Sequence, residues 1–184
     1  MIEKLLVTVT IGWDVIFWEL IVLLALTVVL SLIAVCTYNK AIREYNGKNW
    51  KYVLKNRKII TLATVANKSM KNTALYMIAL SYFESHCDED FCQNIMKISD
   101  EKIINRKYFW LSVYYLLQDD EKWQEWYAQL KDSSVENEKE RFLKEFVLCE
   151  KVMKQNDKVN AEEKSKIDSM HSERLKNILL KNIR

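Results

Sequence analysis

Proline is absent from this chain, and glycine occurs twice in 184 residues. The tight turns of sheet proteins and the phosphate-binding loops of α/β enzymes draw on these two residues. Their scarcity argues against a β-sandwich and against a Gly-rich nucleotide site. Cysteine is sparse as well. Cys36, Cys87, Cys92 and Cys149 lack the spacing of a small secreted disulfide scaffold. In a reducing compartment they pack as small apolar residues. Histidine occurs twice, and the net charge of +3 is too small to point to nucleic acid. These absences leave an all-α chain with polar turns between helices.

One region lacks charge entirely. Leu20 to Cys36, "LIVLLALTVVLSLIAVC", holds 17 uncharged residues. Extended back to Val15 and on to Tyr38, it is long enough to cross a bilayer as one helix. Trp13 and Trp18 stand at one end and Tyr38 at the other, where aromatic side chains suit the membrane interface. Lys40 and Arg43 follow at once and serve as interfacial cations. They open a basic run with Lys48, Lys51, Lys55, Arg57 and Lys58, opposed by Glu44 alone. Before the span Lys4 is offset by Glu3 and Asp14. Positive charge stays in the cytoplasm, so a single-pass protein is expected in the cell membrane, N-terminus outside and C-terminal part inside. The run also suits anionic headgroups. "LIAVC" resembles a bacterial lipoprotein box ending at Cys36, but Val35 stands where a small residue is usual, and the basic run opposes export. Within the span, Glu19, Thr27 and Ser31 are the polar residues that a helix-pairing role would use.

Beyond the anchor, apolar residues recur at helical spacing. The stripes are Ile59, Leu62, Ala63 and Ala66; Leu75, Ile78, Ala79, Tyr82 and Phe83; Phe91, Ile95 and Ile98; then Leu111, Tyr115 and Leu116; then Trp123, Tyr127 and Leu130. Phe142, Phe146 and Met153 fit another helix, and Ile167, Met170, Ile178 and Leu179 a last one. The turns between them, "CDED", "SDEK", "QDDEK" and "KDSSVENE", are acidic, as helix starts prefer. The chain divides into a short extracytoplasmic start (1–14), a transmembrane helix (15–38), a basic juxtamembrane segment (39–58), a helical hairpin array (59–160) and a C-terminal capping helix (161–184).

An internal repeat runs through the array. At an offset of 33, Ile78 falls on Leu111, Ala79 on Ser112 and Tyr82 on Tyr115; past the turn the offset is 32, with Phe91 on Trp123, Ile95 on Tyr127 and Ile98 on Leu130. A small residue three positions before a tyrosine, Ala79 with Tyr82 and Ser112 with Tyr115, resembles the first helix of a tetratricopeptide repeat. The resemblance covers Met70 to about Lys131. It departs from that family at Phe91 and Trp123, where a small residue is usual, and in lacking proline. It implies an α-solenoid-type array that binds proteins.

The densest chemistry is "SHCDEDFC", Ser85 to Cys92 less its neighbours' help: His86, Cys87 and Cys92 sit among three acids. The repeat sets His86 and Cys87 on the turn "QDD" of the next copy, which carries no ligand. A turn therefore accounts for the segment, and no metal is expected. No acid, base and nucleophile converge in the sequence, so no catalytic residue and no cofactor are assigned, and the chain is not expected to be an enzyme. The aromatics Trp110, Tyr114 and Trp126 fall off the buried stripes and are the expected partner contacts. The expected function is a membrane-anchored adaptor or assembly factor that holds a protein partner at the cytoplasmic face. The alternative is an effector that forms homo-oligomers and perturbs the lipid bilayer through its transmembrane helix. Abundant Lys, Asn and Ile is the kind of composition an AT-rich bacterial genome gives.

Overall fold

The computed structural model describes residues 13–155 and 159–183. The expected extracytoplasmic start, and with it the side chain of Trp13, lies outside the described residues. All regular structure among the described residues is helical. The first helix, α1 (Trp13–Asn46), is 34 residues long. At 1.5 Å per residue it measures about 51 Å, well beyond the ~30 Å of a hydrocarbon core. Its two parts differ. Side chains from Phe17 to Ile33 stand outward almost without exception, and Leu24 is 68% exposed. Near the other end Ala34, Tyr38, Ala41 and Tyr45 are buried. Their spacing of four, three and four places them on one face. Among the described residues, one helix is therefore long and apolar enough to span a membrane.

Two differences from the sequence reading follow. The helix does not end at Tyr38, and Tyr38 is not an interfacial ring: it is 5% exposed and sits in the domain core. Lys40 is exposed, with its ammonium 5.0 Å from the centroid of the Tyr52 ring. The segment 39–58 is not a linker. It completes α1 and forms α2 (Trp50–Lys55) and the start of α3 (Arg57–Thr64).

The rest of the domain is α4 (Lys68–Glu84), α5 (Asp88–Met96), α6 (Ile104–Leu117), α7 (Lys122–Asp132), α8 (Lys139–Glu150), α9 (Ala161–Asp168) and α10 (Glu173–Asn182). One turn geometry recurs. At the end of α4, His86 N–H donates to Phe83 O (3.1 Å) and Cys87 N–H to Tyr82 O (3.0 Å). At the end of α6, Asp119 N–H donates to Leu116 O (3.1 Å) and Asp120 N–H to Tyr115 O (3.0 Å). At the end of α1, Lys48 N–H donates to Tyr45 O (3.0 Å) and Asn49 N–H to Glu44 O (2.8 Å). His86, Asp119 and Lys48 each hold a left-handed φ of 59°, 53° and 62°. These are Schellman ends built without glycine at the left-handed position. The first two lie 33 residues apart, so the offset seen in the sequence is also an offset in backbone geometry.

The same offset reaches two buried asparagines, Asn72 and Asn105, each 2% exposed. Each opens the first helix of a hairpin and ties down the segment after the second helix. Asn72 Oδ1 accepts from Ser99 N–H (2.7 Å), and Asn105 Nδ2 donates to Val135 O (2.6 Å) and Asn137 O (2.9 Å). The stripes from Leu75 to Leu130 point inward as expected, with Tyr82, Tyr115 and Tyr127 half-buried. The first stripe does not. Ile59 and Leu62 face outward, and the buried side of α3 is Ile60 and Thr64.

The C-terminal stretch is two helices, α9 and α10, rather than one. It also returns to the first hairpin. Arg174 donates to Phe83 O (2.7 Å), pairs with Asp88 (2.5 Å) and lies 4.4 Å from the Phe83 ring centroid. Glu84 accepts from Ser172 Oγ and from Arg174 N–H (3.0 Å), so it anchors the start of α10.

Candidate functional site

Of the three aromatics expected to meet a partner, Trp110 is corrected by the structure. It is 5% exposed, between Phe83 (5.2 Å between ring centroids) and Phe109 (5.5 Å), and its indole N–H donates to Tyr76 Oη (3.1 Å). A buried ring with a satisfied N–H is core. Tyr114 and Trp126 are half-buried on different helices, α6 and α7. Tyr114 packs on Phe91 at 5.3 Å, and burial pushes its phenol up to about 12. Trp126 stacks on Tyr108 at 6.3 Å.

The segment from His86 to Cys92 is a helix end followed by a helix start. His86 takes the left-handed position, and Asp88, Glu89 and Asp90 occupy the first turn of α5. Among the described residues no three His, Cys, Asp or Glu side chains group as metal ligands. Burial raises the thiols of Cys92 and Cys149, which disfavours the nucleophilic thiolate.

In α1 the polar groups are turned on their own helix. Thr27 Oγ1 donates to Leu23 O (2.7 Å) and Ser31 Oγ to Thr27 O (2.8 Å). Hydroxyls satisfied in this way need no second helix. Glu19 and Trp18 are exposed. Arg43 is exposed on the buried end of α1.

The structure assembles a site that the sequence reading missed. Tyr76, Phe109 and Phe142 come from α4, α6 and α8 and line one cavity of about 210 Å³. Phe109 and Phe142 stack at 4.8 Å. The three positions are 33 residues apart, so one more step of the repeat offset would have found Phe142. Met170 and His171, from the segment joining α9 to α10, and Leu175, in the first turn of α10, close the cavity. Arg141, Glu145 and Lys166 supply its charge, with Arg141 3.4 Å from Glu145. Burial raises the Glu145 carboxyl against the lowering pull of Arg141. His171 packs on Tyr45 (5.0 Å) and Trp50 (5.4 Å), and burial together with nearby Lys48 lowers its pKa. An aromatic floor with a mixed-charge rim suits an apolar side chain carrying a polar neighbour. Comparison with family models, with curated proteins and with solved structures finds no match for this chain.

Proposed function

We propose that this chain is a single-pass membrane adaptor whose helical domain holds a protein partner at the cytoplasmic face. The observation that carries the reading is the division of α1. Its apolar part is uncovered, and its other end is buried at Tyr38, Ala41 and Tyr45 inside the domain. A domain that shares a helix with its anchor is fixed at the membrane without a linker. The basic run after the span supports a cytoplasmic domain, because positive charge is retained on that side. The repeated hairpins α4–α5 and α6–α7, with their matched turns, support an α-solenoid-type array of the tetratricopeptide kind. Such arrays offer extended concave binding surfaces; Tyr76, Phe109 and Phe142 recur at the repeat offset, with Phe109 and Phe142 buried beneath the returning C-terminal segment. Tyr114 and Trp126 remain the outer contacts.

The test is photocrosslinking in membranes of the native host, with a photoreactive residue at Trp126 or at His171 in the full chain. The reading expects one discrete cytoplasmic protein crosslinked at both positions, with the crosslink from position 171 lost in Y114A/W126A. Crosslinks only between copies of this chain would contradict it and favour the oligomerising effector. Conductance across vesicles holding the full chain would then be the next measurement.

A further inference from the structure

Outside α1, five large apolar side chains are exposed among the described residues, and three of them belong to α3 or its end: Ile59 (40%), Leu62 (68%) and Val65 (64%). At 3.6 residues per turn these share one side of the helix, opposite buried Ile60 and Thr64. A short helix that is apolar on both sides needs a second apolar surrounding.

The packing says where that surrounding is. Trp50 packs on Tyr45 (5.4 Å), and Tyr52 lies under Lys40 (5.0 Å). As the chain advances along α2, its neighbour on α1 recedes toward the N-terminus. The two therefore run antiparallel, and α3 carries the chain on toward Ala34. Ala34 is 7% exposed while Leu32, Ile33 and Val35 around it are open. α3 packs on α1 as well, and running on in the same sense from α2 it brings its far end toward the last apolar turn of the span. There Lys68, Lys71 and Lys97 border a recess of about 400 Å³ beside Val65 and Ala66. Between Tyr45 and Phe83 the chain has seven cations and no acid. Lys51, Lys55, Arg57, Lys58, Lys68 and Lys71 are exposed and form no ion pair among the described residues.

We propose that the corner between α3 and α4 is a second membrane contact, which seats Leu62 and Val65 in the bilayer beside α1 and takes anionic headgroups on Lys68 and Lys71. This rests on α1 being the membrane span. An apolar side flanked by cations is the pattern of a helix held at an anionic lipid surface. With two points of contact, the domain has a fixed rotation about α1, so the same face of the array always meets the membrane.

The full chain would be placed in nanodiscs of phosphatidylcholine, alone or mixed with phosphatidylglycerol, with a trace of lipid bearing a diazirine on its acyl chain. After illumination, adducts are mapped by peptide. Adducts on Val15–Val35 and, several-fold above those on Glu89–Gln93, on Ile59–Val65 are the expected result. L62N/V65N should bring the second set to background and leave the first unchanged, and the outward position of both residues keeps the fold intact. K68Q/K71Q should reduce it in the mixed discs and not in phosphatidylcholine alone. Adducts on α1 with none on α3 would overturn the proposal. No adducts on α1 would overturn the anchor itself.

Discussion

The two ends of α1 belong to the same helix and solve opposite problems. From Phe17 to Ile33 the side chains are large, apolar and uncovered. From Ala34 to Tyr45 the buried positions are two alanines and two tyrosines, set against other helices. The first end gains nothing from the domain and, as the proposed span, would gain from lipid; the second is buried by the domain itself. Apolar residues alone do not define a core. What lies against them does, and here one unbroken helix passes from one surrounding to the other.

That contrast gives changes that should act on one region and spare the other. The largest effect is expected from Phe83→Ala. Phe83 is fully buried between Phe91, Trp110 and Arg174, and its truncation should cost about 3–5 kcal/mol of domain stability. Leu24→Ala, at an open position of α1, should change it by less than about 0.5 kcal/mol. Urea titrations of the full chain in mild detergent compare the two. Val28→Arg should act the other way. A cation at the centre of the span costs about 2.5–3.5 kcal/mol of insertion, so the inserted fraction in an insertion assay should fall while the near-ultraviolet circular dichroism of the domain is kept.

Asn105→Ala removes both bonds to Val135 O and Asn137 O and should cost about 1–3 kcal/mol. The matched Asn72→Ala also removes two bonds, one from Ser99 N–H and one to Lys68 O, and should cost a similar amount; denaturant midpoints compare them. The smallest effect is a gain. His86→Gly relieves a left-handed residue and should stabilise by up to about 1 kcal/mol. Asp119→Gly should gain less, because aspartate tolerates that conformation better. Thermal midpoints of the two variants decide it.

The domain should also respond to pH at one contact. His171 has a folded pKa below its usual value, from burial and from Lys48, with Glu173 opposing. Its ring, exposed on one side, packs on Tyr45 and Trp50. The unfolded chain then binds more protons near the ordinary histidine pKa, so stability falls as pH drops through that region and is full above it. Thermal midpoints across that range should show the fall, and His171→Gln should remove it.

Much of this was legible in the sequence. The span follows from an uncharged run, and the hairpins from apolar spacing and the 33-residue offset, because helix period and turn chemistry are local. The misreadings are places where distant groups decide. The stripe at Ile59 and Leu62 has helical spacing, but spacing does not say which apolar surrounding it meets. Tyr38 looked interfacial because the helix end was placed at the first cation, whereas burial of Ala41 and Tyr45 carries the helix further. Trp110 sits off the stripe of α6 and is buried because α4 supplies Phe83 and Tyr76 on that side. The cavity is closed by Met170 to Leu175, and nothing local announces that the C-terminus returns to Glu84 and Asp88.

The central claim is that span and domain share one unbroken helix. Amide hydrogen exchange of the full chain in lipid nanodiscs tests it most directly, at Thr37 to Tyr45, just beyond the apolar run. The account predicts that these amides exchange as slowly as those at the centre of α4. Rapid exchange there, with α4 and the span still protected, would show a flexible tether and contradict it.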